Sequence, residues 1–349
     1  MKMKYIRVNL KWGLLLVLMS FVLLSCKDDF DVEKLQDAAR LVVYSFPTEG
    51  DTTFIAVTKS LPVSSFKGDK DTQSSSAIDA NIIYKVNGTS FPVKRIEDIQ
   101  EAKLICKTSN ESYLSTLVGQ YYAVGLQKAG DKIEVEVSAD GFSSVSASTY
   151  IPEKVNVEIR KIRLKESSSD KERYSSVDKI EATFSDAAST TDYYSVKVNR
   201  KVTSGKTTYL ELITASEPLL NKNSKINDDF GFDDYEFLDD AYIFSDRTIN
   251  GQTYTLHLEV PYNSDYWWAN ASWDSLYGFT YCVDLYKVTP EYYRFLQSVN
   301  NTQNTWTDAG LMQITPTYSN VKGGYGVVAG YNAYEASKYI VPLPSSESK

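Results

Sequence analysis

An all-β fold is predicted from three features: short runs of alternating apolar residues, twenty-six tyrosines beside many β-branched residues, and a single convincing helical stretch. The chain has 349 residues. That length suggests two or three domains, and the strand pattern sorts into two β-sandwich-type domains with one short helix near the C-terminus.

The first domain is expected over residues 39–152. From Arg40 to Phe46, Leu41 and Val43 alternate with Val42 and Tyr44 in a run apolar on both faces, as in a strand inside a sandwich. Thr53 to Lys59 reads as a second strand, with Ile55 and Val57 on one face. Ala80, Ile82, Tyr84 and Val86 alternate up to Asn87-Gly88, and Phe91 and Val93 resume beyond it. Both turn residues tolerate the positive φ of a type I′ hairpin turn. Tyr121 to Leu126 and Ile133 to Val137 flank Ala129-Gly130-Asp131, and Asp140-Gly141 turns the chain into Ser143 to Tyr150. Six or seven short strands in about 115 residues fit an immunoglobulin-like or transthyretin-like sandwich.

Ile151-Pro152-Glu153 is the expected boundary, because proline ends a ladder and polar residues follow it. The second domain, residues 153–349, begins with Val155, Val157 and Ile159. Ile180, Ala182 and Phe184, then Tyr194, Val196 and Val198, alternate in two further strands. Ser204-Gly205 turns into Leu210 and Leu212, Asn250-Gly251 turns into Tyr254 to Val260, and Tyr281 to Val288 completes the set. Thr289-Pro290-Glu291 offers a side-chain N-cap, a proline at the first helical position and an acid in the first turn. Tyr292, Leu296 and Val299 follow at i, i+4, i+7 and predict a helix of about three turns near 290–300, with one apolar stripe. Glycine-rich closing strands end the domain.

The leader predicts where the protein resides. Lys2, Lys4, Arg7 and Lys11 precede an apolar run from Trp12 to Leu24, 13 residues long. That is short for a bilayer span and has the flanks of a signal peptide. Leu23-Leu24-Ser25-Cys26 resembles the lipobox of bacterial lipoproteins, whose cysteine becomes the acylated first residue of the mature chain. The alternative is an uncleaved apolar helix with an incidental cysteine. Residues 1–25 are then the signal peptide, and residues 26–38 a flexible tether after lipidated Cys26. Lys27-Asp28-Asp29 places lysine where an inner-membrane retention aspartate would stand. It looks like the export signal with which Bacteroidota display lipoproteins on the outer face of the outer membrane; the plainer reading is a charged tether. The resemblance implies an outer-membrane protein held by N-terminal acyl chains and exposed at the cell surface.

Removing residues 1–25 takes away those four cations and no acids, so the formal charge falls from −8 to −12. An acidic body argues against sequence-independent nucleic-acid binding and against attachment to anionic lipid through a basic face. Besides Cys26 there are only Cys106 and Cys282, with no metal-ligand spacing. They fall in different expected domains and read as unpaired, with a disulfide, which an exported compartment would permit, as the alternative.

Thr289-Pro290-Glu291-Tyr292-Tyr293-Arg294-Phe295-Leu296, the stretch from Tyr318 through Gly323-Gly324-Tyr325-Gly326-Val327, and Leu41-Val42-Val43-Tyr44 carry a family resemblance. Together they resemble the Bacteroidota outer-membrane lipoproteins catalogued as domain of unknown function 4249. The resemblance covers nearly the whole mature chain. It implies a sandwich-type amino-terminal domain followed by a second β domain, and a gene neighbourhood that often contains a TonB-dependent outer-membrane transporter. It implies no enzymatic activity.

Chemistry narrows by elimination. The one histidine, His257, alternates with Thr255 and Glu259 on the polar face of its strand, which leaves a Ser-His-Asp triad or a multi-histidine zinc site little to stand on. Gly324-Tyr325-Gly326 lacks the helix-opening context of a phosphate loop and reads as glycines at a bulge or turn. Paired carboxylates could hydrolyse glycosides without histidine, but no pair stands out among 45 acids. No cofactor is expected.

Two stretches stand above background. Asp228, Asp229, Asp233 and Asp234 lie in an acidic segment that reads as a solvated loop, with oxygen ligation of calcium as the alternative. Tyr262, Tyr266, Trp267, Trp268, Trp273 and Tyr277 follow no single period, so they cannot all face one core. They are the candidate ligand or partner contacts, against a loop folding its rings back onto the sandwich. The expected function is a non-catalytic surface lipoprotein, an accessory or binding component of a TonB-dependent nutrient uptake system. A structural surface protein or adhesin is the alternative, and a carboxylate-based glycoside hydrolase a third.

Overall fold

Apolar residues at alternate positions give most strands one face to bury, and the chain buries those faces by stacking sheets in two pairs. Strand residues such as Tyr44 and Tyr193 pack a further core on the opposite face. A computed structural model describes residues 39–60, 77–106, 111–163, 177–188, 190–202, 207–221, 224–225, 241–261, 278–302 and 317–340. Outside these lie the leader with Cys26, the tether with Lys27-Asp28-Asp29, the Ser204-Gly205 turn, the acidic segment and the aromatic stretch. Apart from Ala39, the described residues belong to one compact unit, Arg40–Ser60 together with Thr72–Lys349.

In its first half, β1 is Leu41–Ser45, β2 Gly50–Lys59, β3 Asn81–Val86 and β4 Thr89–Phe91. β5 is Val93–Arg95, β6 Tyr121–Gln127, β7 Lys132–Ser138 and β8 Val145–Tyr150. In its second half, β9 is Val157–Arg163, β10 Val177–Ser185, β11 Tyr193–Val202, β12 Thr207–Leu210 and β13 Tyr242–Ser245. β14 is Thr253–Pro261, β15 Phe279–Val288, β16 Tyr325–Val328 and β17 Tyr331–Ile340. Three α-helices, α1 at Ile99–Cys106, α2 at Glu111–Leu117 and α3 at Pro290–Thr302, and two 3-10 turns at Thr214–Ser216 and Asp246–Thr248 complete the described elements. The fold is mostly β, as expected.

The first sandwich stacks the sheet β16-β1-β2-β6-β5 on the sheet β4-β3-β7-β8. Leu41, Val43, Ile55 and Val57 face Tyr84, Val86, Ile133 and Val135 across the core. Asn87 and Gly88 both take positive φ, +50° and +82°, at the tip of the β3–β4 hairpin, as a type I′ turn requires. The Phe91 to Val93 stretch is not one strand. It divides at Pro92, which has no N–H for a ladder, and the chain crosses from the β3 sheet to the β6 sheet.

Two short helices, α1 and α2, were not foreseen. Asp98 caps α1 by accepting the Glu101 N–H at 2.8 Å, and the Glu101 carboxylate accepts the Glu97 N–H at 2.8 Å. Ile96, Ala102, Leu114 and Leu117 then bury a small satellite core against Tyr122.

The second sandwich stacks β14-β10-β9 on β12-β11-β15-β17, with β13 also paired to β11. Ile180, Phe184 and Leu256 face Tyr194, Val196, Val283 and Leu285. His257 is exposed on β14, as its alternation predicts.

The closing segment joins the two halves. β16 lies parallel to β1, from Val42–Tyr325 to Ser45–Val328, so this glycine-rich strand belongs to the amino-terminal sheet while β17 belongs to the second sandwich. A Cβ on Gly326 would overlap the Val43 backbone, and one on Gly330 the Tyr150 carbonyl. That contact, rather than phosphate binding, explains the glycines. The Asn332 amide donates to the Pro152 carbonyl at 3.1 Å and ties β17 to the joint between the halves. α3 buries Tyr292, Phe295, Leu296 and Val299 against Ile243, Val288 and Val327, and Phe46 stacks on Tyr292 at 4.5 Å. Its expected side-chain N-cap is not made. The Thr289 Oγ1 is buried without a partner, while the residue's N–H is held by the Gly330 carbonyl and its own carbonyl accepts the Tyr293 N–H.

Candidate functional site

Three buried aspartates converge at one end of the second sandwich. Asp186 directly follows β10, Asp192 directly precedes β11, and Asp246 opens the 3-10 turn Asp246–Thr248 after β13. They are 9%, 6% and 1% exposed, and each presents a carboxylate oxygen within 4.8 Å of the others. The loops around them hold them there. The Asp246 N–H donates to the Asp192 carbonyl at 3.0 Å, and the Asp186 N–H to the Gln252 carbonyl at 3.0 Å. Asn250 links the strands from the side, donating to the Thr190 carbonyl at 2.7 Å and to Asp246 Oδ2 at 2.9 Å.

Most of the carboxylate oxygens have donors. Asp186 Oδ1 accepts from the Tyr194 hydroxyl at 2.5 Å, and its Oδ2 from the Gly251 N–H at 2.8 Å. Asp192 Oδ2 accepts from Thr190 Oγ1 at 3.0 Å and from the Lys287 ammonium at 2.6 Å. Asp246 Oδ2 accepts from the Asp192 N–H at 2.8 Å as well as from Asn250. Asp246 Oδ1 has no partner among the described residues. Burial first, then the Asp186 hydrogen bond and the charges of all three aspartates, raise the Tyr194 hydroxyl far above its ordinary pKa, so it stays a donor. Two like charges 4.8 Å apart repel by about 3.5 kcal/mol at an effective dielectric constant near 20. Lys287 is the one cation that pairs with the cluster among the described residues.

Lys287 also lines a cleft of about 650 Å³ beside the cluster. Its walls include Lys154 and Arg160 from the connecting segment and β9, Phe184 and Ser185 from β10, and Tyr334 from β17. Its size is that of small-ligand sites. A second polar group lies on the face of β11–β15–β17 away from the core. There Lys197 is 1% exposed, and the Asn199 amide donates to Asp284 Oδ2 at 2.7 Å. Burial, then the nearby Glu335 charge, pushes Asp284 up to about 6 and the Cys282 thiol up to about 11. Cys282 is buried and unbridged, and its raised pKa makes it a poor nucleophile.

Cys26, Lys27, Asp28 and Asp29, the aspartates 228, 229, 233 and 234, and the rings Tyr262, Tyr266, Trp267, Trp268, Trp273 and Tyr277 all lie outside the described residues. Nothing in the sequence pattern marks Asp186, Asp192 and Asp246, because sixty positions separate the outer two and no local motif joins them. The Asn250-Gly251 turn was the one legible trace, since it folds Asp246 back toward β10.

No curated protein matches the chain. The family described as Domain of unknown function (DUF4249) matches residues 27–337, from just after Cys26 to within β17. With that span covered, the chain is a member of the DUF4249 family.

Proposed function

We propose that this protein is a lipid-anchored lipoprotein of the bacterial outer membrane, displayed at the cell surface, which acts by binding beside a TonB-dependent nutrient transporter. The strongest support is a coincidence of two boundaries. The lipobox-like Leu23-Leu24-Ser25-Cys26 ends at the cysteine where an acylated mature chain would start, and the family domain begins at the next residue, 27. The cleft lined by Lys154, Arg160 and Lys287 adds a place of suitable size for a small ligand.

Each buried CH₂ of an acyl chain contributes about 0.8 kcal/mol, so two or three chains suffice for anchoring where one is marginal. Cys26→Ala is therefore expected to leave the membrane fraction or to accumulate with its leader attached. A variant that remains in the membrane with its leader removed overturns the anchoring. Wild-type protein cross-linked in cells and purified from detergent-solubilised outer membranes is expected to carry a TonB-dependent transporter with it. Recovery without one overturns the accessory role while leaving the anchor standing.

A further inference from the structure

We infer that Asp186, Asp192 and Asp246 bind one calcium ion. Among the described residues, three carboxylates against the single Lys287 ammonium leave an excess of two negative charges in a buried group, which a divalent cation would neutralise. An independent observation points the same way. Asp246 is 1% exposed and its Oδ2 accepts two hydrogen bonds, yet its Oδ1 has no partner among the described residues. Buried carboxylate oxygens are seldom left so, because the lost hydration is not replaced.

The spacing fits the ion. Oxygens bound to one calcium at about 2.3–2.6 Å lie no more than about 5 Å apart, and the three aspartates offer oxygens within 4.8 Å of one another. The donor set is all oxygen, which selects a hard cation over zinc or copper. Tyr194, the Gly251 N–H, Asn250 and Lys287 hold the carboxylates by hydrogen bonds, fixing their orientation as supports around metal sites do. Calcium fits better than magnesium, because three carboxylates from separate loops make an irregular set that calcium accepts and octahedral magnesium does not. The exposed residues Thr190, Thr248 and Asn250 leave a route for the ion and for completing waters.

The test uses the full chain purified in detergent and freed of metal by chelator. Calorimetric titration with calcium chloride is expected to show one ion per chain, and calcium to raise the thermal midpoint. Asp246→Asn keeps the side-chain shape and is expected to lose both the heat and the calcium-dependent rise, while its midpoint in chelator equals or exceeds that of wild type. A joint change of Asp228, Asp229, Asp233 and Asp234 to asparagine is expected to retain binding. Should Asp246→Asn not fold, terbium luminescence takes its place. Terbium at this site would be excited through Tyr194, whose hydroxyl also holds Asp186, so Tyr194→Phe is expected to lose most of the calcium-displaceable emission. Absence of calcium binding at millimolar concentration, preference for magnesium, unchanged binding in Asp246→Asn, unchanged emission in Tyr194→Phe, or loss of binding only in the 228–234 variant would each overturn the assignment.

Discussion

Asp284 occupies a position that a carboxylate resists. Burial and the neighbouring Glu335 charge raise its pKa to about 6, against about 4 for an exposed aspartate. A raised carboxylate pKa means that the folded state holds the proton more tightly than the unfolded state. The sign follows: stability falls as pH rises from about 4 to about 6, and the loss persists at neutral pH. Two units correspond to about 3 kcal/mol as an order of magnitude. Asp284→Asn keeps an acceptor for the Asn199 amide and adds a donor beside the unpartnered Asn199 Oδ1. We expect it to be more stable than wild type by about 1–3 kcal/mol at pH 7.5, with the gain shrinking below pH 5. Thermal midpoints of both proteins at the two pH values check this, and a gain independent of pH would show that Asp284 is not the titrating group.

Among the elements, α3 shows how a legible pattern acquires its energetic role. The stripe at Tyr292, Leu296 and Val299 is buried as its spacing predicts, and Phe295 joins it. What the stripe packs against comes from β11, β13, β15 and β16 and from Phe46, which no local pattern identifies. Truncating a fully buried aromatic of this kind costs about 3–5 kcal/mol. Phe295→Ala is expected to lower stability by that amount in denaturant titration, whereas Arg294→Ala, exposed one residue earlier, should stay within about 0.5 kcal/mol. Equal effects of the two changes would remove α3 from the core. The helices α1 and α2 are the opposite case. Asp98-x-x-Glu101 is close to a capping box and could have been read, but eight and seven residues are too few for periodicity to stand out.

For the molecule as a whole, the parallel pairing of β16 with β1 makes the amino-terminal sandwich depend on residues almost three hundred positions away. Val321 and Val328 complete its core, and β16 covers the edge of β1. Residues 39–152 expressed alone lose both, leaving an apolar edge strand open. We expect that fragment to aggregate or to unfold without a cooperative transition, and to regain one when the closing segment is restored by fusion. Cooperative folding of the fragment by itself would reduce β16 to a peripheral addition.

Sequence alone determined most of the strands and the hairpin turn at Asn87-Gly88, because alternation and turn chemistry are local; it did not show β13 at Tyr242–Ser245 or the division at Pro92, which depend on pairing with distant strands. It also determined the start of α3 at Pro290 and the acidic, cysteine-poor character of the body. The tertiary structure decided which strands share a sheet, since β16 and β1 meet only through long-range pairing and close backbone approach at Gly326. It decided that Thr289 does not cap α3 with its side chain, because the Gly330 carbonyl holds the residue from another strand. Above all, it decided that Asp186, Asp192 and Asp246 meet. Their charges are unremarkable along the chain and converge only when three loops close on one another, bringing three carboxylates beside the one lysine that pairs with them among the described residues.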